Sequence, residues 1–411
     1  MNAPLTIRSR RLGPVFDLLA LHPDAFVFER AGLGVATLAT SALEGEDIAT
    51  LGREALTLLR GHDDTASDAP PFVVASLPFR PSDAAEVLVP RRSVRRTAPG
   101  DTWLLDAAGD SGATFEPEPV SGRSPHDVFT AVQLSEHPTS EDYREAVADA
   151  RARIRDGHLR KVVLARTLGV DAGRSLDPRR LAHRLRAVDP EAYTFVVPLS
   201  GGEGGPRRSF VGASPELLVS RRGREVRSNP LAGSAPRSGD HAEDRANAEA
   251  LSGSSKDREE HEIVVEAVAE TLRPFCTKLT WDPEPVLRET PNVWHLSTKF
   301  RGELRDLAPS ALDLVAALHP TPAVGGTPRD VALDTISDLE PFDRGRYAGP
   351  VGWMDAHGDG EWAIALRCAE LRGDRAVLYA GAGIVAGSDP DAEVDETERK
   401  FRAFLDALRW G

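Results

Sequence analysis

Apolar and polar positions follow two different rhythms along this chain. From Thr139, "TSEDYREAVADARARIRDG" sets Tyr143, Val147, Ala150 and Ile154 three or four residues apart. That is the helical period; Thr139 or Ser140 can cap its start and Gly157 can end it. From Ser254, "SSKDREEHEIVVEAVAETL" repeats the period in Val264, Val268 and Leu272. "EVDETERKFRAFLDALRW" carries Phe401, Phe404, Leu405 and Leu408 on one stripe. "SALDLVAALH" is a shorter apolar helix.

The second rhythm is that of strands. "PFVVASLPF" (71–79), "KVVLART" (161–167) and "AYTFVVPLS" (192–200) are short apolar runs bounded by turn formers. "GPVGWMDA", "GEWAIALRCAEL" and "RAVLYAGAGIV" follow late in the chain. In "NVWHLSTKF", Val293, His295, Ser297 and Lys299 alternate with Trp294, Leu296, Thr298 and Phe300. "VPRRSVRRTAPGDTW" and "EPEPVSGRSP" are expected to be loops. The glycines at 201–205 are expected to form a turn; they do not lie between a strand and a helix, as a dinucleotide fingerprint would require. Hairpin-like runs of strands with irregularly placed helices predict an α+β fold with antiparallel sheets.

Hydrophobic content of 41% supplies a sizeable core. The formal net charge of −14 argues against a nucleic-acid partner. It also means that an anionic ligand must be met by local cations. Cys276 and Cys368 make neither a zinc spacing nor a disulfide framework. The opening "MNAPLTIRSRRLGPVFDLL" has no long apolar h-region, and no apolar run approaches the roughly 20 residues of a membrane span. A soluble cytoplasmic protein with no membrane contact is expected.

Two helices carry charge where a core-facing stripe begins. At 100° per residue, Asp257 falls within the stripe of Val264, Val268 and Leu272, with Glu260 on its shoulder. In the last helix Lys400 and Glu393 lie near the line of Phe404, with Glu396 flanking. Acids in a first helical turn suit the macrodipole and need no other reason. Two such pairs, each spaced i, i+3 and aimed at a core, admit a second reading: a shared hard cation, with Mg²⁺ completing its shell from water and substrate oxygens.

Nine stretches then fall into a familiar order: "KVVLARTL", "GASPELLVS", "PLAGSAPR", "KDREEHEIV", "WHLSTKF", "HPTPAVGG", "DLEPFDRGRYAGPVGW", "GEWAIALRCAEL" and "AGAGIVAGSDPDAEVDETERK". The chain resembles the isochorismate synthases of the chorismate-utilising enzymes. The match is strong over 136–411 and weak over 1–135, so a single catalytic domain over 1–411 is expected. The resemblance implies two antiparallel sheets packed together with helices outside.

It also implies roles. Glu260 and Glu396 match direct ligands of Mg²⁺, and Asp257 and Glu393 match positions acting through metal-bound water. Lys161 matches the general base that activates water toward C2 of chorismate, which requires a lowered pKa. Glu216 matches the general acid that protonates the departing C4 hydroxyl, which requires a raised one. Arg367 matches a carboxylate clamp. Its setting in "EWAIALRCAE" adds to this: strand alternation would group it with the small Ala363, Ala365 and Ala369. Gly381 and Gly383 would let backbone N–H groups face a carboxylate. Lys400 matches a lysine near that anion, His295 a residue against the substrate, and Gly233 and Ser234 a turn near the ring carboxylate. Read without the family, Lys161 is an edge-strand lysine, Glu216 a turn carboxylate, Lys400 a surface lysine and His295 a satisfied histidine.

Within the family, Lys161 stands where the anthranilate synthases carry Gln, which favours water over ammonia and implies no glutaminase subunit. Ala232 argues against an aminodeoxychorismate synthase, and Ala323 in "HPTPAVGG" resembles the isochorismate synthases. Salicylate synthases, which add pyruvate elimination, share the base, acid and metal. A non-catalytic chorismate-binding protein and a Mg²⁺-stabilised structural protein are the readings from other classes; neither needs Lys161 and Glu216 together. A monomer is expected.

Overall fold

The computed structural model describes residues 7–12, 17–61, 69–107, 133–199, 207–305 and 309–409. The expected loop "EPEPVSGRSP" and the glycines at 201–205 lie outside them.

All strand pairings are antiparallel, in two arms that meet at one long strand, Ala85–Ala98. From that strand the first arm runs through Leu33–Gly45, Phe26–Arg30, Tyr193–Leu199, Arg208–Ser214, Cys368–Arg372 and Arg375–Ile384 to Lys161–Asp171. The second runs through Phe72–Ser76, Pro350–Asp355, Gly360–Ile364, Leu217–Arg222, Glu225–Asn229 and Phe300–Leu304 to Cys276–Trp281. A separate three-stranded sheet joins Leu231–Pro236, Val293–Ser297 and Val286–Glu289. Strands from the first hundred residues thus pair with strands of the later chain, as Val27 does with Val196 and Val351 with Ser76.

Strand alternation sorts side chains between two cores. Phe195, Val197 and Phe210 of the first arm share a core with Val219, Val226, Val351 and Trp362 of the second. Val196 and Val211 point the other way, to a helical layer. Each such buried side chain contributes roughly 1.5–3 kcal/mol.

The helices among the described residues are α1 (Ile48–Arg60), α2 (Ser140–Arg155), α3 (Pro178–Val188), α4 (His241–Gly253), α5 (Ser255–Leu272), α6 (Ala311–Leu318), α7 (Arg329–Leu339) and α8 (Pro390–Arg409). Leu181 and Leu185 of α3 pack with Phe401, Phe404 and Leu408 of α8 over the first arm. In α2, Tyr143, Val147, Ala150 and Ile154 are the buried residues and Thr139 accepts from Asp142 N–H, as its period predicts. Ser254 caps α5 in the same way.

Two expectations are corrected. "VPRRSVRRTAPGDTW" is not a loop but parts of two paired strands, Ala85–Ala98 and Asp101–Ala107. Its Arg95 is buried, pairs with Asp355 at 3.0 Å and lies over Trp353, so an inward arginine is supplied with a partner. "GEWAIALRCAEL" is not one strand. It breaks between Ile364 and Cys368, and Arg367 takes φ +50°. The alternation assigned to Arg367 therefore does not hold; a kink, not a pleat, aims its side chain.

Candidate active site

A cavity of about 660 Å³, counted out to its mouth, opens between the three-stranded sheet, α5, α8 and the first arm. Eleven of the residues singled out from the sequence line it: Glu216, Gly233, Ser234, Glu260, His295, Ala323, Arg367, Gly381, Gly383, Glu396 and Lys400. Lys161, Asp257 and Glu393 do not, although Lys161 lies against Gly383 and Asp257 against Gly233, both of which do.

Lys161 opens its strand opposite Thr327 and is wholly buried. Its Nζ lies 3.1 Å from Glu260 Oε1, yet is not aligned for a hydrogen bond with any partner among the described residues. Glu260, also buried, lies beside it, and both side chains reach the space next to Gly383. A Cβ on Gly383 would fall 1.9 Å from Glu260 Oε1 and 3.1 Å from Lys161 Cε. Only glycine leaves that carboxylate its place.

Gly383 and Gly381 face Val163 and Ala165 across the ladder. Val163 N–H turns away to Gly325 O at 2.8 Å, so these are non-hydrogen-bonded pairs. The N–H groups of both glycines therefore point to the far edge, toward α8. There Lys400 Nζ donates to Gly381 O at 2.7 Å and to Glu396 Oε1 at 2.6 Å.

The acids behave unequally. Burial raises both Asp257 and Glu393, the latter pushed further by neighbouring Glu396. Burial acts on Glu396 too, but Lys400, Lys256 and a hydrogen bond from Ser234 hold it below the usual carboxylate range. Lys256 Nζ meets Glu393 Oε1 at 2.6 Å; burial opposes its charge, but Glu393, Glu396 and Glu260 together raise it. Asp257 is half-buried beside Gly233, whose φ of +72° favours glycine and where an added Cβ would fall 3.0 Å from Asp257 Cβ.

Glu216 is buried, and burial pushes its pKa up to about 8, against a Leu231 N–H and the charges of Lys161 and Lys400. It holds its proton at neutral pH.

His295 and Arg367 form a relay. Burial, then the charges of Arg367 and Lys400, push the imidazole down to about 3, so it is neutral. Its Nδ1 lies 3.2 Å from Gly233 O and its Nε2 3.0 Å from Arg367 Nη2. A carbonyl only accepts and a guanidinium only donates, which fixes the proton on Nδ1. Arg367 Nη1 is buried with no hydrogen-bond partner among the described residues, and burial lowers this group to about 10. A guanidinium nitrogen of this kind beside a cavity can pair with an anion such as a carboxylate.

The sequence reading missed Lys256 and Tyr347. Nothing in the chain joins Lys256 to Glu393, 137 positions away. Tyr347 lines the cavity and stacks on Tyr379 at 5.1 Å. Its stretch, "RGRYAGPVGW", is among the quoted motifs, so a signal was there.

The stretch of chain that matches a known family contains all of these residues. The family model described as "Chorismate binding enzyme" matches residues 113–409. The chain is 45% identical to isochorismate synthase DhbC of Bacillus subtilis (strain 168), over 82% of this chain and 81% of that protein. It is 37% identical to isochorismate synthase EntC of Escherichia coli (strain K12), over 82% and 81%. Among solved structures, MenF, the menaquinone-specific isochorismate synthase from Escherichia coli, superimposes with a TM-score of 0.81 at 26% identity, covering 100% of this chain and 96% of that one. The chain belongs to the chorismate-binding enzymes and, among them, to the isochorismate synthases.

Proposed function

We propose that this protein converts chorismate to isochorismate, with 1–411 as one catalytic unit acting without a glutaminase, nucleic acid or membrane, and as a monomer. The observation that carries the reading is the buried acid: Glu216, protonated at neutral pH, lines the same cavity as the unpaired nitrogen of Arg367. One can give a proton to a leaving hydroxyl while the other holds an anion.

Magnesium fits the residues present. Glu260 and Glu396 line one cavity, and Gly383 cradles the Glu260 carboxylate where any Cβ would collide. Among the described residues no three His, Cys, Asp or Glu side chains form a ready cage. Mg²⁺ needs only one or two protein carboxylates and completes its shell with water and substrate oxygens. Glu260 and Glu396 would hold it, with Asp257 and Glu393 behind. When bound it supplies positive charge for the ring carboxylate.

The chain's own residues do the rest. Arg367, oriented by His295, and the outward N–H groups of Gly381 and Gly383 bind the second carboxylate, with Lys400 adding charge beside it. Gly233, Ser234 and Ala323 shape the wall along the ring. Lys161, freed of its proton, takes one from water as that water's oxygen bonds to C2. The ring double bonds shift and the C4–O bond breaks. Glu216 gives its proton to that oxygen, which leaves as water. Return of a proton from Lys161 to Glu216 through solvent resets the pair.

The test is the product formed from chorismate with Mg²⁺ and no glutamine or ammonia. Isochorismate is expected. Pyruvate released in step with chorismate loss from the earliest times would show a salicylate synthase instead.

A further inference from the structure

Strand Lys161–Asp171 lacks a neighbour along part of one edge. There Gly326 and Thr327 pair with Val162 and Lys161, and Gln133–His137 pair with residues 167–171. Between them Val163 N–H still reaches Gly325 O, but Val163 O and Ala165 N–H meet no strand among the described residues.

The gap is filled by two side chains. Glu340 Oε1 accepts from Ala165 N–H at 2.7 Å, and Arg344 Nη2 donates to Val163 O at 2.7 Å. The two side chains are joined by a fork, Nε to Oε2 at 2.8 Å and Nη2 to Oε1 at 2.5 Å, and both are 2% exposed. One acceptor and one donor, held in a plane, stand in for the peptide unit of the absent strand. The third arm of the fork, Arg344 Nη1, donates to Val324 O at 2.8 Å. Val163, Ala323 and Val324 are cavity wall. The same guanidinium lies over the rings of Phe79 and Tyr347.

We infer that Glu340 and Arg344 are positioning residues for the reaction: their ion pair locks the strand that begins at Lys161 to the wall around Ala323, and so sets where the base stands relative to the ring. The inference rests on the reading of Lys161 as base. A surface ion pair would have no such role, but this one replaces ladder hydrogen bonds two and four residues from Lys161. The anion, by contrast, would be held by Arg367 and by N–H groups on the far edge of the glycine strand, to which the pair makes no hydrogen bond.

The experiment compares Arg344→Lys with Arg95→Lys, which weakens another buried pair, Arg95–Asp355, placed on the second arm. Lysine keeps a charge for Glu340 but cannot reach Val163 O, Val324 O and both carboxylate oxygens. Below the melting temperature of each variant, Arg344→Lys is expected to lower kcat about 10–100-fold, the scale of a small misplacement. Its KM and its affinity for chorismate in a direct titration should stay within about threefold. Arg95→Lys should cost stability and leave kcat unchanged. If Arg344→Lys does not fold, Glu340→Gln takes its place: the amide oxygen still accepts from Ala165 N–H, while the fork loses its charge, and the same fall in kcat at unchanged binding is expected. A kcat equal to that of Arg95→Lys, or binding lost in parallel with turnover, overturns the inference. Failure of the function itself shows separately, as a wild-type protein that makes no isochorismate.

Discussion

Arg367 Nη2 donates to His295 Nε2 at 3.0 Å, and that bond is possible only because His295 keeps its proton on Nδ1, toward Gly233 O. A neutral imidazole thus turns a buried guanidinium so that its other terminal nitrogen is free. A buried guanidinium nitrogen left without a hydrogen bond is costly, and an anion in the cavity would offset that cost.

The first prediction tests that orientation. His295→Phe should leave Arg367 charged but unaligned. KM for chorismate should rise at least about tenfold, with a smaller change in kcat, since a charge-assisted hydrogen bond contributes roughly 1.5–3 kcal/mol. Steady-state kinetics beside a binding titration decide it; an unchanged KM would remove His295 from the clamp.

Gly383→Ala should break the metal site from the opposite side. Its methyl would displace the Glu260 carboxylate, whose Oε1 lies 1.9 Å from the new carbon. The variant should need far more Mg²⁺ for half-maximal turnover, as should Glu260→Gln and Glu396→Gln. A magnesium titration following activity and melting temperature together tests this. Full activity of either glutamine variant in chelator would end the metal assignment.

Glu216→Gln should separate catalysis from stability. Turnover should fall about 10²–10⁴-fold with loss of the acid. Stability should move the other way. Glu216 has a folded pKa of about 8, above its ordinary 4.5, because burial disfavours the charge. Between those values the folded state keeps a proton that the unfolded state has lost, so stability falls as pH rises through that window. Glutamine does not titrate, and the variant should gain a few kcal/mol near pH 7–8, shrinking to nothing below about pH 4. Denaturant melts at several pH values measure it. In the wild type, kcat/KM should decline above about pH 8 as the acid ionises.

Lys161→Ala should bind chorismate and fail to turn it over, by about 10²–10⁴-fold. Nothing that holds the carboxylates requires the amine. Its removal also leaves Glu260 without the amine 3.1 Å away, so binding should be measured with Mg²⁺ present. Turnover within a few fold of wild type would mean that Lys161 is not the base.

Periodicity was enough to show the helices whose caps and apolar stripes are local, such as α2 with Thr139 and Ile154, and the acidic starts of α5 and α8. The order of short motifs was enough for the family, because each is a contiguous run tied to one wall of the cavity. Three matters were decided only by tertiary structure. The basic stretch around Arg95 became strand because Asp355 and Trp353, about 260 positions on, neutralise and cover it. Arg367 reached the cavity through a positive φ that no alternation pattern encodes. Lys161, Asp257 and Glu393 fell outside the cavity lining because the depth of a side chain depends on which other elements pack above it. The same holds for the charges. A sequence records how many carboxylates and lysines there are, but pKa values follow from burial and distance. Only the folded chain places Glu216 out of water and Glu396 beside Lys400, and so makes one an acid and the other an anion.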